Sequence, residues 1–163
     1  MTKRERLLRE RKRLVLAESD MKQAAAAAAH FVEYGADMNG DAERALITGI
    51  IVTYARPFTA SRGSSLGAIQ GRLAEPESPA LRHLHAELLQ RRNDLFAHND
   101  ETEFRDELDI VAHLGDGEGR FVEAWTPVDY AVFASIERMA SAQRDRFRSR
   151  IEEIAEALRA SDE

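Results

Sequence analysis

Apolar positions recur every three or four residues along most of this chain, the period of an α-helix rather than of a strand. "SDMKQAAAAAAHFVEYGADM" (19–38) offers Ser19 or Asp20 as an N-cap, an alanine-rich body with strong helix propensity, and Gly35 or Asn39-Gly40 as a stop. It predicts a first core helix, either starting at this cap or continuous with the basic helical segment before it. Asp41 then caps "AERALITGIIVTYARPF", where Leu46, Ile50 and Tyr54 keep helical spacing until Pro57 ends the run. "TASRGSSLGAIQGRLAEPESP" (59–79) is rich in Gly, Ser and Pro and reads as a long connection. A third helix opens at Pro79, capped by Ser78, and runs to about Asn99.

Beyond it the period changes. "LDIVAHL" and "RFVEAW" flank the glycine-rich "GDGEG", a pattern that predicts a β-hairpin at about 108–125. Phe121 and Trp125 are expected to pack it onto the helices. Thr126, Pro127 and Asp129 resemble a capping box with proline in the first turn, opening a long final helix. Phe133, Ile136, Ala140, Phe147, Ile151, Ile154 and Leu158 form its apolar face. The expected organisation is a basic N-terminal helical segment (1–18), one mainly all-α domain (19–160) carrying the inserted hairpin, and a short disordered acidic tail (161–163).

Composition narrows the chemistry. A chain of 163 residues fits one domain with its own core. The absence of cysteine excludes disulfides, thiolate metal sites and cysteine nucleophiles, and suits a reducing, cytoplasmic setting. "ALITGIIV" is too short to span a membrane, and the basic start turns acidic before a signal-peptide core can form. The net charge of -6 is unevenly spread: Lys3, Arg4, Arg6, Arg9, Arg11, Lys12 and Arg13 outweigh Glu5 and Glu10, so residues 1–13 carry +5 and the remainder -11. That basic run is either a solvated helix end or a face that attracts phosphates without sequence preference.

The third helix holds a conflict. On a wheel at about 100° per residue with Leu88 at zero, Leu81, Leu84 and Leu95 lie within about 40°, and Arg92 lands among them at about +40°. A buried guanidinium is costly unless its donors are paired. Arg92 therefore pairs with an internal carboxylate, snorkels to the surface, or looks into a cleft or across to a second subunit. Glu87, Arg91, Asp94 and His98 follow at spacings of four and three, either as an exposed salt-linked stripe or with Asp94 orienting the His98 imidazole for acid–base work. Tyr54 and Arg56, in "TYARPF", either line the same cleft or close the core and cap a helix. His83 and His85 point to nearly opposite sides of a helix and cannot share a metal ion.

"RNDLFAH", Arg92-Asn93-x4-His98 within "HAELLQRRNDLFAHND", resembles the R-x(4 to 6)-H motif of the HEPN superfamily, found among bacterial toxin, abortive-infection and uncharacterised proteins. The resemblance implies a helical bundle with the motif on a late helix and the hairpin as an insertion. It implies a metal-independent endoribonuclease without cofactor, dimeric so that two motifs share a cleft, and in some members held by an antitoxin or other partner. Carried onto this chain, His98 is the acid and base, Arg92 stabilises the transition state and Asn93 positions the phosphate or the catalytic pair; Arg91, one residue earlier, is able to share Arg92's role. Two alternatives stay open: a non-catalytic HEPN-like interaction or nucleotide-binding module, and a nucleic-acid-binding regulator using the basic N-terminal segment.

Overall fold

The computed structural model describes residues 1–38, 40–59, 66–97 and 130–160, of which the side chains of 94–97 and 130 lie outside the description. These residues are predominantly helical and include no strand: α1 (Lys3–Tyr34), α2 (Gly40–Ala55), α3 (Pro79–Ala97) and α4 (Tyr130–Arg159), with single 3-10 turns at Gly35–Asp37, Arg56–Phe58 and Gly71–Leu73. The expected hairpin with Phe121 and Trp125, the 126–129 capping box and the 161–163 tail fall outside the described residues.

The first helix is continuous with the basic segment and does not start at the 19–20 cap. Its cap is Thr2, whose hydroxyl accepts from the Glu5 amide (3.1 Å) while the Glu5 carboxylate accepts from the Thr2 amide (2.6 Å), so two of the helix's orphan donors are satisfied. Ser19 and Asp20, the expected caps, sit in mid-helix. The reason is a spacing that runs through them. Leu14, Ala17, Met21, Ala24, Ala28 and Phe31 are all buried and alternate by three and four, and Leu7 extends the series towards the N-terminus. That is a heptad stripe, continued by alanines whose small size lets a partner helix approach closely.

The partner is α4, which carries the matching stripe: Phe133, Ile136, Ala140, Gln143, Phe147 and Ile154. The two long helices make the largest contact in the fold and run antiparallel. Phe31 meets Phe133 at 4.1 Å between ring centres, Glu18 meets Arg148, and Glu10 meets Arg150. At ~1.5 Å per residue the pair extends for more than ~40 Å. α2 folds back against α1, and the 3-10 turn that follows α2 reaches α1 through the Arg56–Asp20 ion pair (2.9 Å). Burial pushes the Asp20 carboxyl above its usual range, and Arg56 draws it back down. α3 leans chiefly on α2, with a smaller contact to α4.

The connection between α2 and α3 is tied down by backbone carbonyls. The Ile69 amide donates to Pro57 O (2.8 Å), and Arg13 donates to Ala68 O (3.0 Å). Gly71 opens its 3-10 turn at φ +68°, a conformation glycine adopts without strain. From α4, Gln143 donates to Ala74 O (2.8 Å) and accepts from Arg146, whose guanidinium also bonds the carbonyls of Arg72 and Glu75. Gln143 is thus a polar member of the apolar stripe, 1 % exposed and fully used. Gln143→Ala is expected to cost about 1–3 kcal/mol by removing the donor to the half-buried Ala74 carbonyl, and to expose 71–77 to limited proteolysis while the helix content by circular dichroism stays unchanged.

Candidate functional site

α3 presents the motif residues. Proline at its first position needs no amide partner, and Leu81, Leu84 and Leu88 supply its inner face; Leu88 is buried and the other two are half-buried against the core. Arg92 follows Leu88 by four residues on this side and is half-buried, which matches neither full enclosure nor free projection. Its Nη1 donates to Asn93 Oδ1 at 3.2 Å, so the two residues named for the site act as one hydrogen-bonded unit, with Asn93 at the exposed end.

Arg91 is engaged differently. It grips Glu87, one turn earlier, through both Nε (3.0 Å) and Nη2 (2.7 Å) on a single carboxylate oxygen. This is the first half of the expected salt-linked stripe. The second half, Asp94 with His98, lies outside the described side chains, so the juxtaposition of His98 with Arg92 is likewise outside them.

The supporting candidates separate. Tyr54 does not line a cleft: it is fully buried among core residues, and burial holds its phenol protonated well above the usual range. Arg56 is exposed on one side and spends its charge on Asp20 instead of capping α2. In the basic segment Lys3, Arg4, Arg6, Arg9, Arg11 and Lys12 are exposed on α1, whereas Arg13 is half-buried and holds Ala68. Leu8, Arg9, Lys12, Glu5 and Leu66 border a shallow groove of about 430 Å³ beside that basic face.

One residue of α3 escaped the sequence reading. His85 is 7 % exposed, and its Nδ1 lies 2.8 Å from the Tyr54 hydroxyl. Phe58 stands edge-on to the imidazole at 4.9 Å, and Tyr54 does the same at 5.8 Å. Burial lowers the His85 pKa, and the Glu75 carboxylate opposes that shift. The wheel carried the signal: His85 falls at about +60°, next to Arg92, on the same inner arc. His83 is exposed on the other side, so the two histidines do diverge as their spacing requires.

Among the described residues no three His, Asp or Glu side chains gather as a metal site, and no helix is long and apolar enough to cross a membrane. Compared with protein-family models, with curated proteins and with solved structures, the chain matches none.

Proposed function

We propose that this chain is a HEPN-type, metal-independent endoribonuclease in which Arg92, Asn93 and His98 form the reactive set. The observation that carries the reading is the Arg92–Asn93 hydrogen bond on an otherwise leucine-faced helix: a planar cation and an amide, joined and reaching the surface, where one more leucine would pack better. In the reaction His98 takes the proton of an RNA 2'-hydroxyl as its oxygen bonds to the adjacent phosphorus. The bond from phosphorus to the 5'-oxygen breaks, and that oxygen receives a proton. The products are a 2',3'-cyclic phosphate and a 5'-hydroxyl. Arg92 donates to the equatorial oxygens as charge builds on them, and Asn93 holds the guanidinium in orientation.

Six exposed cations within residues 3–12 of α1 supply a track for the RNA backbone, offsetting the acidity of the rest of the chain. A homodimer pairing two motifs, a cytoplasmic setting and restraint by an antitoxin or other protein partner complete the proposal. Its test is cleavage of single-stranded and structured RNAs in EDTA by wild type and His98→Ala, with product ends identified. Cyclic phosphate formed by wild type and lost in the variant is the expected result. RNA binding without cleavage, with a steep salt slope that disappears when Arg6, Arg9, Arg11 and Lys12 are changed to Gln, would instead favour a nucleic-acid-binding regulator acting through α1.

A further inference from the structure

We propose that the Tyr54–His85 hydrogen bond is a pH-gated latch: it holds α3, the helix bearing Arg91, Arg92 and Asn93, against the bundle, and protonation of the imidazole releases it. The inference concerns the docking of α3 and stands whether or not the chain cleaves RNA.

Among the described side chains of α3, Leu88 is the single fully buried apolar one, whereas α1 buries eight residues along its length. The helix rests mainly on α2, and the bond between Tyr54 and His85 joins the last turn of α2 to the second turn of α3. His85 also shares a side of α3 with Leu88 and Arg92, at three and seven residues, so fixing His85 fixes the rotation at which Arg92 is presented.

In the latch, the enclosed Tyr54 hydroxyl donates to Nδ1 of the His85 tautomer that carries its ring proton on Nε2, one of the two tautomers that the 2.8 Å contact admits. An imidazolium carries a proton on Nδ1 as well. The hydroxyl must then turn to accept from Nδ1–H, which leaves its own hydrogen without an acceptor among the described residues. Every element packed around the ring bears on the balance. α2 contributes Tyr54, the 56–58 turn contributes the Phe58 ring, and α4 reaches the cluster through Phe147 on Phe58 at 6.2 Å. The segment before α3 contributes Glu75, the carboxylate among the described residues that acts on the ring and favours its charged form. On α3 itself, Arg82 is turned to the carbonyls of Pro76 and Glu77, and Glu87 to Arg91. Burial outweighs Glu75, so the docked imidazole binds a proton less readily than an undocked one.

The sign is therefore defined. Docking is fully supported above the ordinary histidine pKa of ~6.5 and weakens as pH falls below it towards the lower docked value, by up to about tenfold between pH 7.5 and 5.5. Hydrogen exchange of the wild-type chain, corrected for intrinsic rates, reads this directly. Amides of α3 are expected to lose about tenfold protection between those pH values, while buried amides of α1 and α4 keep theirs, and the His85 ring signal in NMR should titrate with the same midpoint as the release. In His85→Gln, whose amide accepts the Tyr54 proton without titrating, α3 protection should be independent of pH. Constant α3 protection in wild type, a loss shared equally by α1 and α4, a ring midpoint that differs from the release, or pH dependence persisting in His85→Gln would each overturn the latch.

Discussion

Phe147→Ala is expected to lower the unfolding free energy by about 3–5 kcal/mol, the usual cost of emptying a fully buried phenylalanine site. Phe147 is entirely excluded from solvent, midway along the α4 stripe, and its ring meets Phe58 of the turn that ends α2. Two losses coincide there: the transfer of a large apolar side chain and a cavity that two long helices, held in register at both ends, close only by bending. A single domain holds about 5–15 kcal/mol in total, so this one change removes a large fraction of it. Urea unfolding followed at 222 nm should show a lower midpoint with an unchanged slope. Val15→Ala, on the exposed side of α1, should move the midpoint by less than about 0.5 kcal/mol. Near-equal effects of the two substitutions would show that the α1–α4 seam is not the core.

Phe147 is also linked to the motif helix through a series of aromatic rings. The rings of Phe147, Phe58, His85 and Tyr54 form a continuous chain from α4 through the α2 turn to α3. Packing energy gathered in the long α1–α4 pair thereby supports the short α2–α3 contact. Among its described side chains, the helix with the candidate chemistry buries fewer apolar groups than α1 or α2.

What was legible in the sequence follows from which forces are local. Pro57 closing α2, Pro79 opening α3, Gly35 ending α1 and the Glu87–Arg91 pair are decided within a turn or two of chain, and each is where its local chemistry puts it. The apolar face of α4 was equally plain. The start of α1 was not, because Ser19-Asp20 carries a strong local capping pattern that a tertiary contact overrides. Asp20 is bonded by Arg56 from another helix, and the stripe through it is written largely in alanines, which a search for large apolar residues passes over. Gln143 and His85 were missed for a related reason. Each occupies an apolar position with a polar group, and its partner, an Ala74 carbonyl or a Tyr54 hydroxyl, is 69 or 31 residues away. Arg92 drew attention by the same irregularity, and it is half-buried.

The two adjacent arginines should therefore behave unequally in RNA cleavage. Arg92→Ala is expected to lower kcat/KM by at least about 100-fold, in the range seen when a single donor to a developing oxyanion is removed. Arg91→Ala is expected to lower it less than about tenfold. The difference rests on commitment. Arg91 already gives two hydrogen bonds to Glu87, and moving its guanidinium to a phosphate means breaking both. Arg92 is bonded to Asn93, the residue named as its partner in holding the phosphate, so its present orientation belongs to the same arrangement. Arg92→Lys separates shape from charge: a lysine keeps the cation but loses the planar fork, and should recover less than about a tenth of wild-type activity. RNA binding measured beside cleavage completes the distinction. If Arg92 acts in the transition state, kcat falls and affinity changes little. If the three variants cleave alike, or Arg91→Ala is the more damaging, the assignment of Arg92 is wrong, and the Glu87–Arg91 pair becomes the unit whose opening must be explained.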